Sequence, residues 1–336
     1  MIGYYVHHHG RGHQHRAAAV AAEIDDVVVG LSSLPRPEDW TGPWIELDRD
    51  DEGPSPVDAS AHGRLHWVPE RDPGLAARMA EISAWIVDVD PDLMIVDVSV
   101  EVAALARLHG VPVVTTVLPG DRRDAPHDLV HGIARRIVAA WPEDVAGMAL
   151  GLDDHVHRVT RIGGTSRFDG RTTAAATPSD ERRVLVLAGA GDAEGDAWDL
   201  TDAQSQAPGW TWDVLGPGAG WVEDPWEALC RADVVVTHAG QNAIAEIAAA
   251  RRPAIVVPRP RPFGEQDSMA AALAADGRFP VTVFPSGLPT TGWGALLERT
   301  ALLDGTAWAA WNDGHGARRF AEVVRDEVVR GRAGTA

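Results

Sequence analysis

The sequence predicts an α/β protein of two Rossmann-like halves, each a parallel sheet covered by helices. Three observations lead there. Short apolar runs of strand length alternate with stretches of helical periodicity through the first half. The alternation stops at residues 163–181, rich in Gly, Ser, Thr and Pro, and then restarts. The length, 336 residues, suits two domains of about 150 residues each. Two such halves are expected to face a central cleft, with ligands beyond the carboxyl ends of the strands.

The elements follow in order. Ile2–Val6 reads as a strand, then a Gly- and His-rich loop, then an Ala-rich helix from His15. Val27–Leu31 is a second strand. Residues 34–73 are rich in Pro, Asp and Gly, with short strands expected near Ile45 and Trp67. Leu75–Val87 has helical spacing, Leu93–Val96 is a strand ending in Asp97, Val100–Leu108 a helix and Val111–Val117 a strand. Leu129–Ala140 reads as one more helix. After the break come strands at Val184–Leu187, Trp212–Leu215, Val234–Val236, Ile255–Val257 and Val281–Phe284. Helices are expected at Pro225–Arg231, Asn242–Ala250 and Gln266–Ala275, with a last one over 315–330. This gives an N-terminal domain over 1–163, a linker over 164–181, a second domain over 182–312, and a terminal helix over 313–336 that crosses back to the first domain.

Composition removes whole classes of chemistry. All 30 basic residues are Arg, so a Lys-dependent phosphate loop, pyridoxal phosphate chemistry and Schiff-base catalysis are excluded. The net charge of −19 opposes nucleic acid and anionic membrane surfaces. The single Cys230 excludes an internal disulfide and fits a reducing compartment. No apolar run reaches the ~20 residues of a membrane span, and no signal-peptide pattern opens the chain. A cytoplasmic protein without integral membrane association is expected, as a monomer or homodimer.

Two segments carry chemistry. In 233–266 a strand ends at His238, and a Gly turn opens the helix of AGQNAIAEIAAA. A strand end, a Gly turn and a helix start converge free amides and a positive dipole end on one point, which suits an anion. Glu246 lies further along, where a carboxylate accepts from vicinal hydroxyls. Glu265 and Gln266 pair a carboxylate with an amide, a set suited to sugar hydroxyls. The second segment is HHHGRGHQHR, residues 7–16. Its His7, His8, His9, His13 and His15 also raise a metal reading, which the missing acidic partners nearby weigh against.

HAGQNAIAE, RRPAIVVPRP and FGEQ together resemble the donor-binding signature of GT-B fold glycosyltransferases. They are similar both to UDP-glycosyltransferases and to the N-acetylglucosaminyltransferase of peptidoglycan synthesis. WVEDPWEAL resembles the loop that holds the uracil ring. The resemblance spans about residues 183–276 and implies a GT-B fold and specific roles. Trp221 and Val222 lie at the base, and Glu246 binds the ribose. His238, Gly240, Gln241, Asn242 and Ala243 surround the diphosphate, with Gly189 and Gly191 in a nearby Gly-rich turn. Glu265 and Gln266 face the donor sugar. Gln241 stands where plant members commonly carry Trp, and Glu265 where many carry Asp or His, which leaves the sugar open. Gly12–His13 matches the turn whose His is often the general base, and Asp97 is the candidate to orient it.

The resemblance implies an inverting, metal-independent hexosyltransferase, with no cofactor. It would move a sugar from a nucleotide diphosphate, UDP by preference, to an acceptor hydroxyl. The pair of Glu seven residues apart that retaining members carry is missing. The acidic surface points to a soluble small-molecule acceptor such as a natural product. The rival readings are a nucleotide-sugar hydrolase or epimerase on the same fold, or a non-catalytic nucleotide-sugar-binding protein.

Overall fold

The computed structural model describes residues 1–336 except 9, 54, 173–180, 189–197, 217–219, 221 and 335–336. Gly189, Gly191, Trp221 and His9 therefore lie outside the described residues. The chain divides into two compact units. Unit 1 comprises residues 1–140, 149–162 and 317–336; unit 2 comprises 141–148 and 163–316.

Unit 1 contains strands β1 (Ile2–Tyr5), β2 (Val28–Ser32), β3 (Trp44–Glu46), β4 (Leu93–Val96), β5 (Val113–Val117), β6 (Gly120–Asp121), β7 (Arg136–Ala139), β8 (Ala149–Leu150) and β9 (Val159–Arg161). Its helices are α1 (Arg11–Ala21), α2 (Pro73–Val89), α3 (Val100–Leu108) and α4 (Ala125–Ile133). Seven strands form one parallel sheet in the order β3-β2-β1-β4-β5-β7-β9, while β6 and β8 pair separately. Successive side chains of a strand point to opposite faces, so each strand feeds two cores. Ile2 and Tyr4 of β1 pack with Ala17 and Val20 of α1, whereas Tyr5 packs with Ile82 of α2 and Ala103 of α3. Both tyrosines are buried.

The helix starts follow local rules. Asp72 caps α2, with Pro73 at its first position; Ser99 caps α3; Asp124 caps α4, with Pro126 inside the first turn. Two expectations change here. Helix α1 begins at Arg11 rather than near His15, so His13 sits in a helical first turn and not in a loop. The helix expected over 129–140 is a helix over Ala125–Ile133 followed by strand β7. Ala134 turns extended and ends the helix, and Ile137 and Val138 are β-branched residues buried in the sheet. No strand forms near Trp67.

Unit 2 contains β10 (Arg182–Leu187), β11 (Trp210–Leu215), β12 (Val234–Thr237), β13 (Ala254–Val256) and β14 (Val281–Val283). Its helices are α5 (Thr201–Ser205), α6 (Trp226–Arg231), α7 (Gln241–Ala250), α8 (Glu265–Asp276) and α9 (Trp293–Ala301). The sheet is parallel, in the order β11-β10-β12-β13-β14. Val184 and Val186 of β10 and Val234 and Val236 of β12 pack with Trp293, Leu296 and Leu297 of α9. Residues 163–171 pack within this unit: Phe168 is buried and Asn312 donates to Asp169 Oδ1 at 2.8 Å. The last helix, α10 (Gly316–Gly334), places Phe320, Val324 and Val328 in the core beside β1.

Both sheets reverse their strand order once. In unit 1 the chain runs outward from β1 to β3 and returns on the other side of β1 as β4. In unit 2 it runs from β10 to β11 and returns beside β10 as β12. Such switch points open crevices at the carboxyl ends of the two flanking strands, where ligands bind in open parallel sheets.

Candidate functional site

The unit 1 switch point brings together the start of α1, after β1, and the end of β4. Asp97 follows β4 directly and is fully buried. Its Oδ2 lies 2.6 Å from His13 Nδ1. Its Oδ1 accepts from Arg16 Nη2 at 2.6 Å and from Thr116 Oγ1, on β5, at 2.7 Å. Burial alone pushes this carboxyl up; the Arg16 guanidinium, His13 and the Thr116 hydroxyl overcome it and hold the carboxyl well below the usual carboxylate range. Asp97 is thus a fixed anion. It draws the imidazole proton to Nδ1, which leaves Nε2 as the nitrogen that takes a proton. Arg16 Nη2 also lies 3.1 Å from His13 Nδ1. Both atoms carry hydrogen there, so this is a close cationic contact rather than a second hydrogen bond.

The backbone at this corner is strained. Val98, between Asp97 and the Ser99 cap of α3, has φ 59°. A β-branched residue rarely adopts that left-handed conformation, and it costs about 1–3 kcal/mol. Arg16 and Thr116 are absent from the sequence reading. Arg16 had a signal, since it lies three residues after His13 and so on the same helix face; Thr116 had none.

The unit 2 switch point receives the end of β12 and the start of α7. Gly240 is the N-cap of α7 and has no side chain to satisfy the first-turn amides of Gln241, Asn242 and Ala243. His238 is buried and its Nδ1 donates to the Val257 carbonyl at 3.0 Å. With that proton placed, Nε2 accepts a hydrogen bond when the ring is neutral and donates to an anion when it is protonated. The Trp198 ring packs on His238 with centroids 4.0 Å apart. Glu246, on α7, is buried and accepts from Arg167 Nε at 2.9 Å. Burial pushes its carboxyl up, against the pull of Arg167. Arg167 Nη1 donates to the Glu223 carbonyl at 2.7 Å, tying the 222–225 segment to α7. Val222 is exposed.

Glu265 and Gln266 open α8 after a turn in which Phe263 and Gly264 both have positive φ, 61° and 64°. Gln266 is buried and its Oε1 accepts from the Arg259 amide at 2.9 Å, which closes the loop after β13 onto α8. Glu265 is half-buried.

Two groups among the described residues have metal-ligand composition: His66, Asp124 and His127, and His8, Asp50 and Asp51. Each already holds guanidinium groups. Arg122 Nη1 lies 3.2 Å from His127 Nε2, which places the ring proton on Nδ1, 2.6 Å from Asp124 Oδ1. That nitrogen therefore points hydrogen, not a lone pair, at the position a cation would take. In the other group Arg78 lies 2.6 Å from Asp50 and Arg49 lies 2.7 Å from Asp51. Arg49 is shared with Glu52 at 2.9 Å, and His8 Nε2 lies 3.5 Å from both Asp50 and Asp51.

Residues 223–279 match the glycosyltransferase family 28 C-terminal domain. No curated protein sequence matches the chain. Among solved structures, the chain resembles MurG of Acinetobacter baumannii with a TM-score of 0.64, at 14% identity over 97% of this chain and 99% of that one. It resembles the spinosyn rhamnosyltransferase SpnG in complex with thymidine diphosphate with a TM-score of 0.59, at 16% identity over 97% and 99%. It resembles UGT89C1 of Arabidopsis thaliana in complex with UDP with a TM-score of 0.62, at 11% identity over 97% and 99%. At such identities the likeness is one of fold, and the fold is GT-B. Among the described residues no helix is long and apolar enough to cross a membrane.

Proposed function

We propose that this protein is an inverting glycosyltransferase that moves a sugar, a hexose by preference, from a nucleoside diphosphate to an acceptor hydroxyl. The observation that carries the reading is where the family 28 segment falls. Residues 223–279 span the Gly240 turn, the start of α7, Glu246, Glu265 and Gln266. The α7 amides and His238 take the diphosphate, Glu246 the ribose, and Glu265 with Gln266 the sugar. Val222 and its neighbours take the base. UDP is the favoured donor, and thymidine diphosphate sugars are the first alternative to screen.

In unit 1, His13 Nε2 removes the acceptor proton and Asp97 holds the imidazolium that forms. The acceptor oxygen attacks the anomeric carbon and the nucleoside diphosphate leaves with the bonding pair. One base and no covalent intermediate give inversion, and no step calls for a metal. A cytoplasmic enzyme acting on a soluble small molecule fits the net charge of −19.

The test is His13→Ala. Transfer kcat falls by about 10²–10⁴-fold, while nucleoside diphosphate affinity measured by calorimetry stays within twofold of wild type. Full transfer activity in the variant would remove His13 from the mechanism. Rapid donor hydrolysis without acceptor would mark a hydrolase instead.

A further inference from the structure

His238 can hold an anion in only one of its charge states. Its Nδ1 donates to the Val257 carbonyl at 3.0 Å, and a carbonyl only accepts, so one ring proton stays on Nδ1. Nε2 is the nitrogen left for a ligand. In the neutral ring it presents a lone pair, which an anion repels. Only the protonated ring turns an N–H toward a phosphate oxygen. A diphosphate bound by His238 therefore meets an imidazolium.

Trp198 bears on that charge. Its ring packs on the His238 ring with centroids 4.0 Å apart and planes at 52°. The indole is half-buried against the core formed by Val236, Val257 and Leu297. An indole attracts a cation within about 6 Å of its centroid, and more strongly where water is excluded; His238 is buried. Trp198 lies outside the family 28 segment, residues 223–279. The charged side chains on the segments around His238 are Asp199 beside Trp198, Arg259 in the loop after β13, Glu246 on α7 and Glu265 at the start of α8. Asp199 is exposed, and Glu246 is paired with Arg167.

We infer that binding of the nucleotide sugar takes up one proton, held on His238 Nε2, and that Trp198 is the positioning residue that favours the charged ring. The inference rests on the donor reading above and adds the proton to it. The proton comes from solvent as the diphosphate arrives and returns there when the nucleoside diphosphate departs. The donor itself takes none, because both phosphates of a nucleotide sugar are diesters and lack the second ionisation, at about pH 6, of a terminal phosphate.

The experiment is titration calorimetry of the full-length protein with UDP-glucose, UDP-N-acetylglucosamine and thymidine diphosphate glucose, the tightest binder taken forward. Binding heats at about pH 8 in phosphate and in Tris, whose ionisation heats differ, count the protons. Wild type is expected to take up about one proton per donor and to lose affinity about tenfold per pH unit between about pH 7.5 and 8.5. His238→Gln keeps an N–H donor but takes no proton, so its uptake falls to about zero and its affinity is level over that range. Trp198→Leu weakens binding about three- to tenfold at pH 8, and the loss shrinks toward about pH 6, where the free ring is already protonated. Wild-type binding without proton uptake overturns the inference and leaves the glycosyltransferase reading standing; so does uptake that survives His238→Gln. A Trp198→Leu loss equal at both pH values overturns the role of Trp198. Failure to bind any of the three donors overturns the donor reading itself. Should His238→Gln not fold, the wild-type proton count and the Trp198→Leu profile decide.

Discussion

At the scale of single residues, Asp97 is the centre of the unit 1 site. It has no exposed surface, and His13, Arg16 and Thr116 all bond to its two carboxylate oxygens. Removing its charge leaves Arg16 buried without a counter-charge, and breaking a buried pair typically costs about 3–5 kcal/mol. Asp97→Asn is therefore expected to lose about 3 kcal/mol in urea unfolding and most of its transfer activity. Because the folded carboxyl is held below its unfolded value, the stability it provides is complete above about pH 4. That stability drains away as the pH falls further. His13 was singled out by the resemblance of Gly12–His13 to the family's turn, and Asp97 by its place directly after a strand; the structure brings the two side chains within 2.6 Å. Arg16 was hidden because the helix start was misplaced. Read as loop, residues 10–14 have no face, and the spacing of Arg16 from His13 carries no meaning.

At the scale of elements, the turn from β4 into α3 holds its strain at Val98. Glycine tolerates that backbone without penalty but loses about 0.5–1 kcal/mol to chain entropy. Against a strain of about 1–3 kcal/mol, Val98→Gly is expected to raise stability by about 1 kcal/mol, read as a higher Tm. A looser corner lets Asp97 swing, so kcat should fall in the same variant. A drop in Tm would show that the corner is not strained.

Helix α4 makes a second prediction. His127 is pushed down to about 4 by burial, the Arg122 guanidinium and His66, against the pull of Asp124. His131 is pushed down to about 3 by burial, His127, His155 and Arg122, against the pull of Asp128. Both are neutral in the folded protein, and the unfolded chain binds their protons from about pH 6.5 downward. Their contribution is complete above pH 6.5 and is lost as the pH falls toward 4, on the order of 2–3 kcal/mol over that window. His131→Phe should flatten the pH dependence of the urea midpoint there. The α4 region also marks where pattern reading stops. The apolar residues of α4 and β7 merge into one helix-like run, and the change of period hangs on Ala134 turning extended. Nothing in that residue's chemistry announces it.

At the scale of the whole molecule, two Rossmann-like units were accessible from alternation alone, because buried parallel strands leave short apolar runs between amphipathic helices; the reversal of strand order in each sheet was not, because alternation does not say which strands pair. Edge strands such as β9 were missed, since three half-buried residues make no pattern.

The inventory of ionisable groups has a consequence for how the molecule carries charge. Its side-chain cations are all guanidinium groups, which stay protonated beyond pH 12. The only two tyrosines, Tyr4 and Tyr5 of β1, are pushed up by burial, Tyr5 against the pull of Arg78 and Tyr4 against that of Arg16. The single thiol, Cys230, is buried. Between about pH 8 and 11, where lysine and tyrosine normally titrate, this chain has almost nothing to release. Its proton titration curve should run nearly flat there, with electrophoretic mobility fixed near the formal charge of −19. A potentiometric titration showing two protons released at about pH 10 would mean that β1 had opened and freed Tyr4 and Tyr5. Alkaline titration is thus a direct gauge of whether β1, an interior strand of the unit 1 sheet, is intact.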